Sequence, residues 1–208
     1  MKLYYFETPN GRKACAVARY LNGPVELVRV DLAKGEHKAP AFLAINPNGK
    51  VPALEDGEVR LWESMAIMCY LADKAGSDLW PKDARQIDVI RWLSWDATHF
   101  SRHAGTLFFQ RVIKPHFGLG EPDLAAIDEA MGFFRQFAGV LNSHLEDRQY
   151  LVGDGLTVAD FAVASFLPHA RDARIPIDDF PEIQRWYAQI AQLPAWREPF
   201  PTQAASAA

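Results

Sequence analysis

The chain has 208 residues, enough for one domain or two and long enough to bury a core without disulfide staples. With 49% hydrophobic and 23% charged residues its composition is that of an ordinary soluble protein, and a formal charge of -4 with scattered Lys and Arg leaves no basic footprint for nucleic acid. No apolar run approaches the roughly 18 residues of a membrane span, MKLYYFETPN lacks the charged and apolar regions of a secretory leader, and Cys15 and Cys69 offer neither a disulfide framework nor a zinc spacing; the expectation is a cytoplasmic protein with reduced thiols and no metal.

Up to about residue 76, strand and helix signals alternate. KLYYF (2–6) reads as a short aromatic strand. In 11–22, Ala14, Val17, Ala18 and Leu21 recur at i, i+3, i+4 and i+7, the stripe of an amphipathic helix. VELVRVDL (25–32) returns as a strand, which makes the opening a βαβ unit with a right-handed crossover. APAFLAI is a short helical turn, and NPNG (46–49) is a turn before a hairpin whose arms, Val51 to Leu54 and Val59 to Leu61, flank Asp56-Gly57. Two parallel strands plus a hairpin predict a four-stranded mixed sheet. A helix over 62–75 comes next, with Met65, Met68, Cys69 and Ala72 on one face.

GSDLWPKD (76–83) reads as a linker, and beyond it only helices are predicted: 84–112, 122–146, 157–170 and 181–192, with a turn near 195–199 and a frayed end, FPTQAASAA. Thr157 and Asp160 have the spacing of a capping box at the start of the third of these helices. Along the first, Trp92, Trp95, His99, Arg102, His103 and Thr106 succeed one another at helical spacings, aromatic above and cationic below. HFSRH lacks the Glu and the third ligand of a zinc helix, so the His pair is not read as a metal site.

Two helix starts stand out chemically. TPNGRKACAV (8–17) opens a helix just after a strand, where free amides and the dipole favour an anion. Thr8 can give an O–H and Asn10 an N–H, although both are also ordinary cap and turn residues. Glu63 and Ser64 open the helix after the hairpin, where they could meet an ammonium and a carboxylate or simply cap it. Val51 before Pro52 is biased to extended backbone.

An α/β stretch of about 76 residues, then helices, with KVP before a hairpin, ES opening the next helix and LTVADF later, resembles the cytosolic glutathione transferases over almost the whole chain. TPNGRK is most similar to the bacterial and fungal nu class, relatives of which favour disulfide chemistry with glutathione. The resemblance implies a thioredoxin-like glutathione-binding domain over 1–76 and an all-helical domain over 84–200 forming the electrophile site. It implies a cis Pro52 with the Val51 backbone holding the cysteinyl part of glutathione, Glu63 and Ser64 on the γ-glutamyl end, and His37 and Lys50 on the glycine carboxylate. Thr8 and Asn10 would then activate the thiol of glutathione for attack on an electrophilic carbon or a disulfide, with Tyr5 as the rival donor. Trp95, His99, Arg102 and His103 would line the second-substrate pocket, the choice between Arg102 and His103 staying open. Cys15 and Cys69, on apolar stripes, are expected to be structural. The family also implies a homodimer, with Trp80 and Phe100 as exposed candidates for its contact surface. A non-catalytic glutathione-binding or scaffold protein of the same fold is the alternative.

Overall fold

The structure, a computed structural model, describes residues 1–202, so the expected fraying of 203–208 lies outside the described residues. The chain divides into two compact units: Met1–Ser77 together with the segment from Gln192 onward, and Asp78–Ala191. The sequence pattern groups everything from 84 to 200 with the helical part. Residues 192–202 pack instead on the first unit, where Arg12 donates to the Trp196 carbonyl at 2.7 Å and Arg19 to the Pro199 carbonyl at 2.9 Å.

The first unit contains β1 (Lys2–Tyr5), α1 (Pro9–Leu21), β2 (Glu26–Arg29), α2 (Pro40–Leu43), β3 (Ala53–Asp56), β4 (Val59–Trp62), α3 (Ser64–Lys74) and the C-terminal α10 (Pro194–Arg197). The four strands form one mixed sheet in the order β2-β1-β3-β4. β1 pairs parallel with β2, Leu3 opposite Leu27, and antiparallel with β3, Leu3 opposite Leu54, as the predicted crossover and hairpin require. Alternation along β1 buries Leu3 and Tyr5. Helix α1 buries Ala14, Cys15, Ala16 and Val17 completely and packs against α3, which buries Ile67, Met68 and Ala72 completely. Phe200, at the start of the stretch whose composition predicts a frayed tail, is half-buried and stacks on Tyr5 with ring centroids 5.3 Å apart.

The second unit begins with a helical run predicted as one helix over 84–112. It is α4 (Arg85–Trp95), a π-helical turn at Asp96–Phe100, α5 (Ser101–Phe108), a second π turn at Phe109–Ile113 and α6 (Lys114–His116). Each π turn admits one extra residue and so rotates the next stretch of helix by about 100° relative to an uninterrupted one. This overturns the reading of Phe100 as exposed: it is fully buried against Phe134, with ring centroids 4.8 Å apart. Trp80 is half-buried. The exposed apolar side chains of this unit include Ile87 (70%), Ile90 and Phe133, and Val140 on α7 (Leu124–Leu145). α8 (Val158–Val163) ends earlier than predicted, passing at Ala164 into a 3₁₀ helix that runs to His169, because Pro168 has no N–H to give to Ala164. α9 (Pro181–Ile190) completes the unit. Among the described residues no helix is long and apolar enough to cross a membrane.

The capping box at α8 extends into a buried network. Asp160, fully buried, accepts the Thr157 amide at 2.9 Å and hydroxyl at 3.1 Å, the Leu151 amide at 3.0 Å and the Trp186 indole N–H at 3.0 Å. Burial outweighs these donors, so the carboxyl pKa is raised although the hydrogen bonds oppose the shift. One side chain thereby joins the loop before α8, the helix start and α9. Asp160→Ala would leave three buried N–H groups without an acceptor, and the expected cost is about 3–5 kcal/mol, measured as a shift of the urea unfolding midpoint; a loss below about 1 kcal/mol would refute this role.

Candidate functional site

The start of α1 is shaped by one close approach. Gly11 lies so near the end of β1 that an added Cβ would stand 2.1 Å from the Phe6 carbonyl oxygen. Only glycine allows the first helical turn to sit there. Thr8 is the N-cap, its Oγ1 accepting the Gly11 amide at 3.0 Å. Since that oxygen accepts from Gly11, the hydroxyl proton is the part left to give, and the Phe6 carbonyl at 3.5 Å is a weak competitor for it. Asn10, exposed in the first turn of the helix, receives the Ser64 hydroxyl on its Oδ1 at 3.4 Å, which leaves its NH₂ as donor. Tyr5 points instead into the core at 3% exposure, where burial raises its phenol pKa.

The start of α3 is adjacent through that Asn10–Ser64 contact. Ser64 is buried, and the first amides of a helix have no intrahelical acceptors. Glu63 precedes it at φ +70°, a left-handed conformation that a non-glycine residue adopts at a cost. The backbone therefore turns sharply where the exposed Glu63 and the buried Ser64 meet the helix start.

Val51-Pro52 is cis, as the resemblance implies. Val51 lies outside the sheet ladder, which begins at Ala53, and packs beside Val30 and Phe42. His37 sits on a 3₁₀ turn, Glu36–Lys38, with its Nδ1 buried and lacking a hydrogen-bond partner. That turn packs on the 46–50 loop: a Cβ on Gly49 would stand 2.9 Å from the Lys38 Nζ and 3.1 Å from the His37 carbonyl. His37, Lys38 and the loop carrying the exposed Lys50 thus come together. Lys38 is easily passed over in the sequence, where its only signal is adjacency to His37 in GEHK. Asn46, which the sequence marks only as a turn residue, is 2% exposed and donates to the Lys50 carbonyl at 2.6 Å.

In the second unit, His99, Arg102 and His103 line a cavity of about 660 Å³ together with Phe133, Phe137 and Glu129. His99 stacks on Phe137 with ring centroids 4.4 Å apart, and His103 on Phe133 at 4.9 Å. Burial first, then the Arg102 charge, lowers the His103 pKa. Trp95 is not in this cavity. It lines a neighbouring one of about 260 Å³ with Arg91, Trp92, Val140 and His144, while its ring lies 6.4 Å from those of His99 and Phe137.

Fold and site define a thioredoxin-like α/β unit, rich in donors at two helix starts, joined to an all-helical unit. Residues 1–73 match the glutathione S-transferase N-terminal domain and residues 100–194 the glutathione S-transferase C-terminal domain. Glutathione S-transferase 3 of Zea mays is 36% identical over 206 residues, covering 95% of this chain and 92% of its own. Disulfide-bond oxidoreductase YfcG of Escherichia coli (strain K12) is 31% identical over 202 residues, covering 93% and 91%. A solved glutathione transferase family member from Pseudomonas fluorescens with two glutathione bound has a TM-score of 0.86 at 29% identity, covering 95% of this chain and 91% of that one. The chain belongs to the glutathione S-transferase family. Several further relatives are plant glutathione S-transferases, so the comparisons support the family and not the particular closeness to the nu class that TPNGRK suggests.

The chain's own thiols are poorly placed for this chemistry. Burial pushes the thiols of Cys15, fully buried on α1, and of Cys69, half-buried on α3, up to about 12. At pH of about 8, roughly one thiol in ten thousand would be ionised. The native protein should therefore resist iodoacetamide at both positions and take two labels when unfolded in urea, read by mass spectrometry; native labelling at the rate of free cysteine would contradict the burial argument.

Proposed function

We propose that this protein is a glutathione transferase in which Thr8, Asn10 and the start of α1 hold the sulfur of bound glutathione as thiolate for attack on an electrophilic carbon or a disulfide. The observation that carries the reading is the Gly11–Thr8 hydrogen bond at 3.0 Å, which commits the Thr8 oxygen as acceptor and frees its proton to be donated. Hydrogen bonds to the charged form lower a thiol pKa, and the helix start adds its dipole. Glu63 and Ser64 take the γ-glutamyl end, the Val51-Pro52 backbone the cysteinyl part, and His37 and Lys50, with Lys38 beside them, the glycine carboxylate.

His99, Arg102 and His103 form the cationic side of the second-substrate pocket, with Trp95 at its flank. TPNGRK, the relative named as a disulfide-bond oxidoreductase and the solved relative with two glutathione bound favour a disulfide as one accepted substrate. Reduction would then proceed without a protein thiol. One glutathione thiolate attacks the substrate disulfide and releases its first thiol; a second glutathione attacks the mixed disulfide, releasing the second thiol and leaving glutathione disulfide. The proposed location is the cytoplasm.

Thr8→Ala and Asn10→Ala should each lower turnover about ten-fold or more while weakening glutathione binding by less than about three-fold, because their donors face the sulfur and not the ends of the tripeptide. Steady-state kinetics on an electrophile and a disulfide, beside calorimetry, measure both quantities. Wild-type turnover and thiol pKa in both variants would end the assignment, and binding without any turnover in the wild type would favour a non-catalytic member of the family.

The same family reading proposes a homodimer. Ile87, Ile90 and Val140, exposed on α4 and α7, give that contact an apolar centre in place of Phe100. Light scattering at micromolar concentration should return twice the chain mass of 23.4 kDa; a monomer mass would overturn it.

A further inference from the structure

We propose that the cavity of about 660 Å³ in the helical unit takes aromatic substrates that carry an ammonium and a carboxylate together, with Glu129 as the specificity residue that receives the ammonium while Arg102 receives the carboxylate. The inference rests on the reading above, in which this cavity holds the second substrate. The first π turn and α5 bring His99, Arg102 and His103 to it, and α7 brings Glu129, Phe133 and Phe137. The rings form two stacks. His99 lies on Phe137 at an interplanar angle of 28° and His103 on Phe133 at 21°, with Phe133 and Phe137 only 14° from parallel. Phe133 remains 42% exposed, so near-parallel ring surface is left against which a flat ligand can lie.

The charges in the cavity are not spent on each other. Arg102 and Glu129 are exposed and line the same space, yet among the described residues neither has an ion pair. Both act on the wall between them: burial first, then the Arg102 charge, lowers the His103 pKa, and the Glu129 charge opposes that shift. Glu129 does not complete a metal site with the two imidazoles, since among the described residues no group of three or more His, Cys, Asp or Glu is placed to hold a metal. A ligand with a carboxylate alone would gain Arg102 and be repelled by Glu129, and one with an ammonium alone would meet the reverse. An amino-acid head on an aromatic ring satisfies both, so the pocket selects by repulsion as well as by attraction.

The test uses three ligands with one ring and a similar chain: tryptophan bears both charges, tryptamine the cation and indole-3-propionate the anion. Calorimetry at pH of about 8, where the His103 imidazole is neutral, gives each Kd for wild type, Glu129→Gln and Arg102→Gln. Both residues are exposed, so neither substitution removes a buried contact. Wild type is expected to bind tryptophan about five-fold tighter than either of the others. Glu129→Gln should lose that preference over indole-3-propionate and bind the anion better, and Arg102→Gln should do the same with tryptamine. A merely structural role would weaken all three ligands alike. Equal affinities in the wild type, no binding of any of the three, or parallel changes in both variants would overturn the proposal. Tryptophan is also expected to compete with 1-chloro-2,4-dinitrobenzene in turnover; the crossed pattern without competition would support the charge selection and overturn the second-substrate reading.

Discussion

The first turn of α1 lies almost on the carbonyl at the end of β1, and this contact governs the candidate site. With no Cβ at Gly11, the helix start comes within reach of the strand end, the Gly11 amide meets the Thr8 oxygen, and Asn10 is carried toward α3. Any side chain at residue 11 would push the helix off the strand by the width of a methyl group or more. Thr8, Asn10 and Ser64 would then separate, although none of them would have changed. The chemistry of the site is set by residues with polar groups, and its geometry by one residue with no side chain.

The two helix starts divide the electrostatic work. At α1 the donors are neutral and close to one another, an arrangement that stabilises a negative charge without neutralising it. At α3 a strained Glu63 precedes a buried hydroxyl, so one helix end presents an acidic group and amide donors side by side. The chain keeps its own sulfur out of this environment. Cys15 is on the same helix that Thr8 caps, yet lies inside the core where the thiolate has no solvation. A thiol brought by a ligand can sit at the helix start, and one brought by the helix interior cannot.

Much of this is legible in the sequence, and the exceptions have physical causes. The βαβ opening, the Asp-Gly hairpin and the Thr157–Asp160 cap come from short-range signals that the structure keeps, whereas the cis Pro52 is implied only by the family resemblance, the residues alone favouring trans. The π turns do not, because one extra residue in a helix leaves no local mark in composition or spacing while it rotates everything beyond it. The apparent stripe from Trp92 to Thr106 divides between two cavities, and Phe100, within the first π turn, is buried. Asn46 reads only as a turn residue, since a side chain that bonds a carbonyl four residues on looks the same in sequence as one that faces water. Phe200 is hidden by the composition of its neighbours, PTQAASAA, and only its stacking on Tyr5 distinguishes it.

The return of the C-terminal segment to the first unit has a consequence for how the chain comes into being. Helix α10, with Trp196 2% exposed and its carbonyl bound by Arg12, belongs to the α/β unit, yet the whole of Asp78–Ala191 lies between it and α3 along the chain. During synthesis the sheet and α1 emerge first and wait without this last piece while the helical unit is made. The α/β unit is therefore a parenthesis that the ribosome closes only after the helical unit is made, and a nascent chain stalled anywhere in the helices would expose the surface of α1 that Trp196 and Phe200 cover.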